Sequence, residues 1–135
     1  MKADGSDQRQ LTHVGVSGHF VRWTAGGDAI IFRSPARQAT FSVPATGGEP
    51  VPFAANMKGG AHISFSPDQS RLMDVVGHRV LWVNPVSGGE PVQAFAFADP
   101  SVRIDYPVWS PDGKWVLFDR THPEGGDVWV LRLEE

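Results

Sequence analysis

Residues 107–118 of the chain are Pro-Val-Trp-Ser-Pro-Asp-Gly-Lys-Trp-Val-Leu-Phe, two short apolar runs on either side of Ser110-Pro111-Asp112-Gly113. In such a turn Pro fixes φ near about −65°, Asp offers a short side chain that hydrogen-bonds the backbone, and Gly permits a positive φ. The stretch therefore predicts a β-hairpin.

The hairpin recurs twice upstream, closely in residues 63–72 and loosely in residues 21–30. Trp23, Phe65 and Trp109 fall in register, at spacings of 42 and 44 residues. A second landmark, Thr-Gly-Gly-Glu-Pro-Val at 46–51, returns 41 residues later as Ser-Gly-Gly-Glu-Pro-Val at 87–92. Repeats of about 40–45 residues made only of strands are typical of propeller blades. The sequence predicts an all-β chain, a β-propeller of four-stranded blades.

Turn residues divide the chain into a first segment and three blades. Residues 1–18 are predicted to supply an outer strand, about 7–12, and a loop. Blade 1 (19–60) has predicted strands at 20–23, 29–33, 38–43 and about 50–53, and blade 2 (61–103) at 62–65, 71–76, 79–83 and 91–95, with Gly77-His78 as a tight hairpin turn. Blade 3 (104–135) has strands at 106–109, 114–118 and 128–131 and lacks its outer strand.

Three blades are fewer than the four or so that a propeller needs to close. We therefore expect a homodimer with six blades, in which residues 7–12 of one chain pair with the strand edge near Val130 of the other. The alternative is that the chain is a fragment of a longer protein.

Composition excludes several classes of protein. The net charge is −3, with 12 basic and 15 acidic residues, and the basic residues are scattered, so no nucleic-acid partner is predicted. There is no cysteine, hence no disulfide and no thiolate metal site. The N-terminal residues have no apolar core of a signal peptide, and no window approaches the roughly 18 apolar residues of a membrane helix. We expect no membrane insertion and no export signal in the chain as given, and the compartment stays open between cytoplasm and periplasm.

Residues 106–118, followed by Asp127-Val128-Trp129-Val130-Leu131, resemble the WD40-like (PD40) repeat of TolB-type propellers. The second repeat has Gln69-Ser70 where the turn glycine is expected, and the first keeps Trp23 but lacks Ser-Pro-Asp-Gly. The resemblance implies six blades more often than any other number and a protein partner at the mouth of the central channel. In some members it also implies a neighbouring hydrolase domain.

Loops on one face of such a propeller are the candidate partner-binding surface. The residues placed there are His13, His19, Arg33, Arg37, His78, Arg79, Arg103, Asp105, Arg120 and His122, with Glu124 and Asp127 beside them. The alternative is that these loops are merely solvated and polar.

Other candidate residues have structural explanations. Asp68 and Asp112 lie inside the repeated turn, so they are expected to stabilise it and not to act as acids or bases. Aromatic residues at equivalent strand positions could stack on sugars, but they are expected to fill the space between blades: Trp23, Phe65, Trp109, Trp115 and Trp129.

No catalytic or cofactor motif is present. The five histidines have no zinc-binding spacing, and only the channel geometry could bring them together, so neither a metal site nor a cofactor is predicted. There is no Gly-x-Ser-x-Gly motif. The leading prediction is a non-enzymatic scaffold for protein interaction. The alternative is the propeller portion of an enzyme, such as a peptidase filter or a lyase with a metal in its channel.

Overall fold

The computed structural model describes residues 4–15, 21–54, 56–58 and 62–133. The chain divides into two compact units, Met1–Phe53 and Ala54–Glu135. All regular structure in the described residues is β-strand, and every strand pairing is antiparallel. A helix able to cross a membrane is absent from this described part of the chain.

The first unit contains one four-stranded sheet, the predicted blade 1. Its strands follow chain order: β1 (Val21–Trp23), β2 (Ala29–Ser34), β3 (Ala39–Pro44) and β4 (Val51–Pro52). Side chains along β2 and β3 alternate between the two faces of the sheet. One face buries Phe32, Phe41 and Val43, and Val14 and Ile30 pack against them. The rings of Phe32 and Phe41 stack with centroids 6.0 Å apart.

Residues 4–15 also belong to the first unit and form no strand in this structure. The Arg9 guanidinium donates a hydrogen bond to the carbonyl of Ala45. The strand expected at residues 7–12 was predicted to pair with another copy of the chain, so that pairing stays a prediction.

The second unit contains two sheets, the predicted blades 2 and 3. The first is β5 (Ile63–Phe65), β6 (Arg71–Val76), β7 (Val80–Pro85) and β8 (Val92–Ala96), in chain order. The second has three described strands, β9 (Arg103–Trp109), β10 (Trp115–His122) and β11 (Gly125–Arg132), with β10 in the middle. Within the described residues this sheet has three strands, and the prediction that blade 3 lacks an outer strand stays a prediction.

One apolar core joins the two sheets of the second unit. Met73 and Leu81 from the first sheet pack in one cluster with Ile104, Val116 and Phe118 from the second. Trp109 is 7% exposed in this cluster, and its indole N–H donates to the carbonyl of Ser64, 3.1 Å away. The prediction that Trp109 fills the space between blades is confirmed.

Three other tryptophans are not core residues here. Trp23 is 58% exposed, Trp115 40% and Trp129 43%. Trp115 alternates with the buried Val116 and so faces away from the core. Trp129 lies on the edge strand β11 and Trp23 on the edge strand β1, whose three residues are all exposed. None of these three rings is buried within the described part of the single chain, and the expectation that they pack against a neighbouring blade stays a prediction.

The repeated turn keeps one geometry in all three sheets. A hydroxyl at its first position, from Thr24, Ser66 or Ser110, accepts the backbone N–H of the residue five positions on, at 2.9–3.1 Å. The fourth position has positive φ each time: 67° at Gly27, 57° at Gln69 and 72° at Gly113. The first repeat therefore keeps the turn although it lacks Ser-Pro-Asp-Gly.

Candidate functional site

Three side chains meet at the end of the second unit where β5 and β9 begin. Asp105 Oδ1 lies 2.6 Å from His78 Nδ1 and 3.2 Å from His62 Nε2. His62 is buried, Asp105 is largely buried, and the His78 side chain is 42% exposed. We call His62, His78, Asp105 and the adjacent Tyr106 the loop end.

His78 is placed by the turn between β6 and β7. Gly77 and His78 have φ of 59° and 56°, and the N–H of Arg79 donates to the carbonyl of Val76 at 3.2 Å. Positive φ at both central residues matches the right-handed twist of the flanking strands, which makes this the predicted two-residue hairpin turn. The His78 carbonyl accepts the N–H of Ile104 at 2.8 Å, which ties the turn to β9.

Asp105 and Tyr106 lie at a β-bulge. Asp105 pairs with Asp119 and Val108 with Leu117, so Tyr106 and Pro107 together face the single residue between Asp119 and Leu117. Tyr106 has φ of 47°, a left-handed conformation that costs a non-glycine residue about 1–2 kcal/mol. Bulges of this kind redirect side chains and commonly border functional sites.

The bulge turns Tyr106 outward and fixes the backbone of Asp105. The Tyr106 ring meets the His62 ring edge to face with centroids 4.4 Å apart, yet Tyr106 is 61% exposed. The Asp105 N–H donates to Asp119 Oδ1 at 2.7 Å. The loop end thus combines an anchored carboxylate, two imidazoles and an accessible phenol.

Two predicted binding arginines contact aromatic or backbone groups of their own unit. The Arg120 guanidinium lies over the rings of Phe97 and Trp129, at 5.2 and 4.8 Å from their centroids. Arg79 donates to the carbonyl of Phe97 at 2.9 Å. Both side chains therefore hold the strand ends around Phe97.

Among the described residues of the second unit, no other predicted site residue belongs to the metal-ligand cluster of His62, His78 and Asp105. Arg33 and Arg37 belong to the first unit, where Arg37 lies 5.3 Å from the Phe41 ring centroid. His13 is exposed in that unit, and His19 lies outside the described residues. Arg103 and Glu124 are exposed, His122 is half-buried at the end of β10, and Asp127 is exposed on β11. Of the predicted site residues, His78 and Asp105 form the cluster.

Sequence reasoning missed His62, Tyr106 and Asp119. His62 was taken only as the first residue of an inner strand. Tyr106-Pro107 carried a usable signal, because proline inside a strand indicates an edge or a bulge.

The turn aspartates behave as the sequence predicted. Hydrogen bonds from the Ser66 hydroxyl, then from the N–H and hydroxyl of Ser70, lower the pKa of Asp68 to about 2. The Ser110 hydroxyl and the N–H of Lys114 likewise lower the pKa of Asp112. Carboxylates held ionised in this way stabilise turns and are poor proton donors.

Comparison with known proteins gives structural matches alone, since no family model and no curated protein matches the chain. A protein of Agrobacterium tumefaciens assigned as TolB superposes with a TM-score of 0.63 at 18% identity, over 88% of this chain and 46% of that one. TolB of Acinetobacter baumannii gives a TM-score of 0.57 at 18% identity, over 84% of this chain and 29% of that one.

A chain from a nidogen–laminin complex gives a TM-score of 0.54 at 12% identity, over 85% of this chain and 48% of that one. The chain thus spans less than half the length of each of these structures. Identities this low report on fold alone. With its three antiparallel sheets, the chain has the fold of TolB-type β-propellers.

Proposed function

We propose that the chain is a non-catalytic, PD40-type propeller module that binds a protein partner through the loop end of its second unit. The observation that carries the proposal is the outward placement of Tyr106 on a strained bulge beside His62, His78 and Asp105. Strain at an exposed aromatic residue is difficult to explain by stability, because it raises the free energy of the folded state.

The chemistry of the loop end suits protein recognition. Tyrosine and arginine are enriched among residues that dominate binding energy at protein interfaces. Tyr106 is 61% exposed, and Arg103 on the same strand is also exposed. Their neighbours are tied by hydrogen bonds, so little entropy would be lost on binding.

Site-directed cross-linking tests this proposal. A photoreactive phenylalanine analogue at position 106 should capture a partner from the source cell, and the same analogue at position 112, in the repeated turn, should not. Affinity for the captured partner should fall at least about tenfold in Tyr106→Ala and Arg103→Ala and stay unchanged in Lys114→Ala. Equal capture at both positions, or loss of affinity only in Lys114→Ala, would place binding elsewhere.

We also propose that the chain catalyses no hydrolysis or elimination by itself. The two turn carboxylates support this, because their lowered pKa values suit structural hydrogen bonding better than proton transfer. Assays of the purified chain with peptide, ester and uronide substrates should give the rate of the buffer alone. Turnover that disappears in Asp105→Asn would favour the enzyme alternative.

We propose in addition that a second copy of the chain covers β11. The strand lies at a sheet edge and exposes Val128 at 73%, Trp129 at 43% and Val130 at 60%. Exposed apolar edge strands are normally paired or covered. Residues 7–12 of another copy are the candidate strand, because they align with the outer-strand position of blade 1.

Light scattering combined with deletion tests this assembly. The purified chain should have twice the mass of one chain, and removal of residues 1–12 should give a monomer or an aggregate. A folded monomer before deletion, or a dimer that survives it, would contradict the proposed pairing.

A further inference from the structure

The loop end contains a set of metal-ligand atoms. One ring nitrogen from each of His62 and His78 and one Asp105 carboxylate oxygen all lie within 4.8 Å of one another. A tetrahedral zinc ion with bonds of about 2.0–2.1 Å keeps its ligand atoms about 3.4 Å apart. The 3.2 Å separation of His62 Nε2 from Asp105 Oδ1 lies close to that value, whereas the 2.6 Å separation of His78 Nδ1 is a hydrogen-bond distance that must lengthen when an ion binds. Small side-chain rotations would therefore bring all three atoms to bonding distance.

The backbone already holds these three residues in place. The His62 carbonyl accepts the N–H of Val75 at 3.2 Å, and the His78 carbonyl accepts the N–H of Ile104 at 2.8 Å. Asp105 is held by its N–H bond to Asp119. Ligands on three separate elements would thus need little backbone rearrangement to bind an ion.

We propose that His62, His78 and Asp105 bind a divalent transition-metal ion, for which Zn²⁺ is the reference. Two imidazole nitrogens and one carboxylate oxygen are ligands that zinc and its neighbours accept, whereas Ca²⁺ and Mg²⁺ require a shell of oxygens. Three protein ligands leave a fourth position for water or for a group from a partner. The 42% exposed side of His78 provides access for the ion.

The competing arrangement is a hydrogen-bonded cluster without metal, in which both imidazoles donate to the Asp105 carboxylate. It explains the same distances, but it makes different predictions when metal is added. The proposal does not depend on partner binding, because the test uses the metal ion alone.

Calorimetric titration of ZnCl₂ into the EDTA-treated, dialysed chain is the direct test. We expect one ion per cluster and a rise in the thermal unfolding midpoint, since a ligand that binds only the folded state stabilises it. Substitution of Co²⁺ should give the visible absorption of a four-coordinate site.

Variants separate the cluster from adventitious binding. His78→Ala and Asp105→Asn should each lower zinc affinity at least about tenfold and abolish the cobalt spectrum. His122→Ala removes a histidine outside the cluster and should bind as the parent does. Circular dichroism checks that each variant is folded.

Two results would overturn the proposal. One is no heat of binding and no change in unfolding midpoint up to millimolar zinc. The other is zinc affinity that is the same in the parent and in the folded double variant His78→Ala, Asp105→Asn, which would assign the binding to other residues.

Discussion

The two sheets of the second unit have the same turn at one end of their strands. The residues at the other end of the strands differ between the two sheets. At the turn end, residues 66–71 and 110–115 form the same six-residue turn, in which Ser66 or Ser110 accepts an N–H and donates to Asp68 or Asp112. At the loop end, the 44-residue offset between the repeats places a different residue type opposite His62, Asp105 and Tyr106, and only His78 has a histidine in register, His122. The same strands therefore present a structural end and a chemically distinct end.

The two ends show which polar side chains stabilise the fold and which are available for binding. At the turn end the polar side chains satisfy backbone groups of their own hairpin, so they recur wherever the hairpin recurs. At the loop end the polar side chains come from three elements, and Tyr106 occupies a costly conformation. We infer that the turn end contributes stability and that the loop end contributes binding.

The largest expected effect is at Trp109, which joins the two repeats next to the turn end. Trp109→Ala removes a ring that is 7% exposed and its hydrogen bond to Ser64, and should lower the free energy of unfolding by about 3–5 kcal/mol. Trp115→Ala is the matched control, because that ring is 40% exposed, and should cost less than about 1 kcal/mol. Similar losses for both in urea unfolding would contradict the assignment of Trp109 to the core.

The next-largest effect is expected at the fourth position of the repeated turn, where the two repeats have different residues. Gly113 has φ of 72°, and a Cβ at this position would make only an ordinary contact, with Pro67 at 3.7 Å. Gly113→Gln should therefore cost about 1–2 kcal/mol from backbone strain alone.

Gln69 is the matched residue of the other repeat, already strained at φ of 57°. Gln69→Gly should raise the free energy of unfolding by about 1 kcal/mol. The free energy of unfolding should therefore fall in Gly113→Gln and rise in Gln69→Gly. A fall in both variants would show that the Gln69 side chain makes a contact that outweighs its strain.

A smaller effect is expected at the loop end. His78→Ala, measured in EDTA, should change the free energy of unfolding by less than about 1 kcal/mol, because the His78 side chain is 42% exposed and Asp105 keeps its contact with His62. A loss as large as that of Trp109→Ala would mean that the loop end is part of the structural core.

The sequence predicted the fold well because blades are built from local signals. Strand β6 lies where the spacing of Gln69-Ser70 and Gly77-His78 placed it, since each turn fixes its own hairpin. Burial was harder to predict, because Trp109 and Trp115 have equally apolar neighbours and differ only in which face of the sheet they occupy.

The candidate site was only half predictable. His78 and Asp105 were chosen as polar loop residues, but their meeting with His62 depends on the packing of β9 against β5 and β6 and on the bulge at Tyr106. Neither feature is encoded in the spacing of the histidines, which is why no metal site was predicted from motifs.

The smallest expected effect is the pH dependence of the turn end. The pKa of Asp68 falls from its ordinary 3.8 to about 2 in the folded chain, chiefly through the Ser66 hydroxyl. A lowered folded-state pKa means that the stabilisation is fully present above pH 3.8 and is lost as the pH falls through about 2. In Asp68→Asn the difference in stability from the parent should thus be constant near neutral pH and shrink between these two values.

Ser66→Ala removes the main cause of the shift, so its own stability should decline less with acid over the same interval than that of the parent. Urea unfolding across this range measures both, and an Asp68→Asn curve parallel to the parent's at every pH would show that the turn hydrogen bonds do not depend on the charge of Asp68.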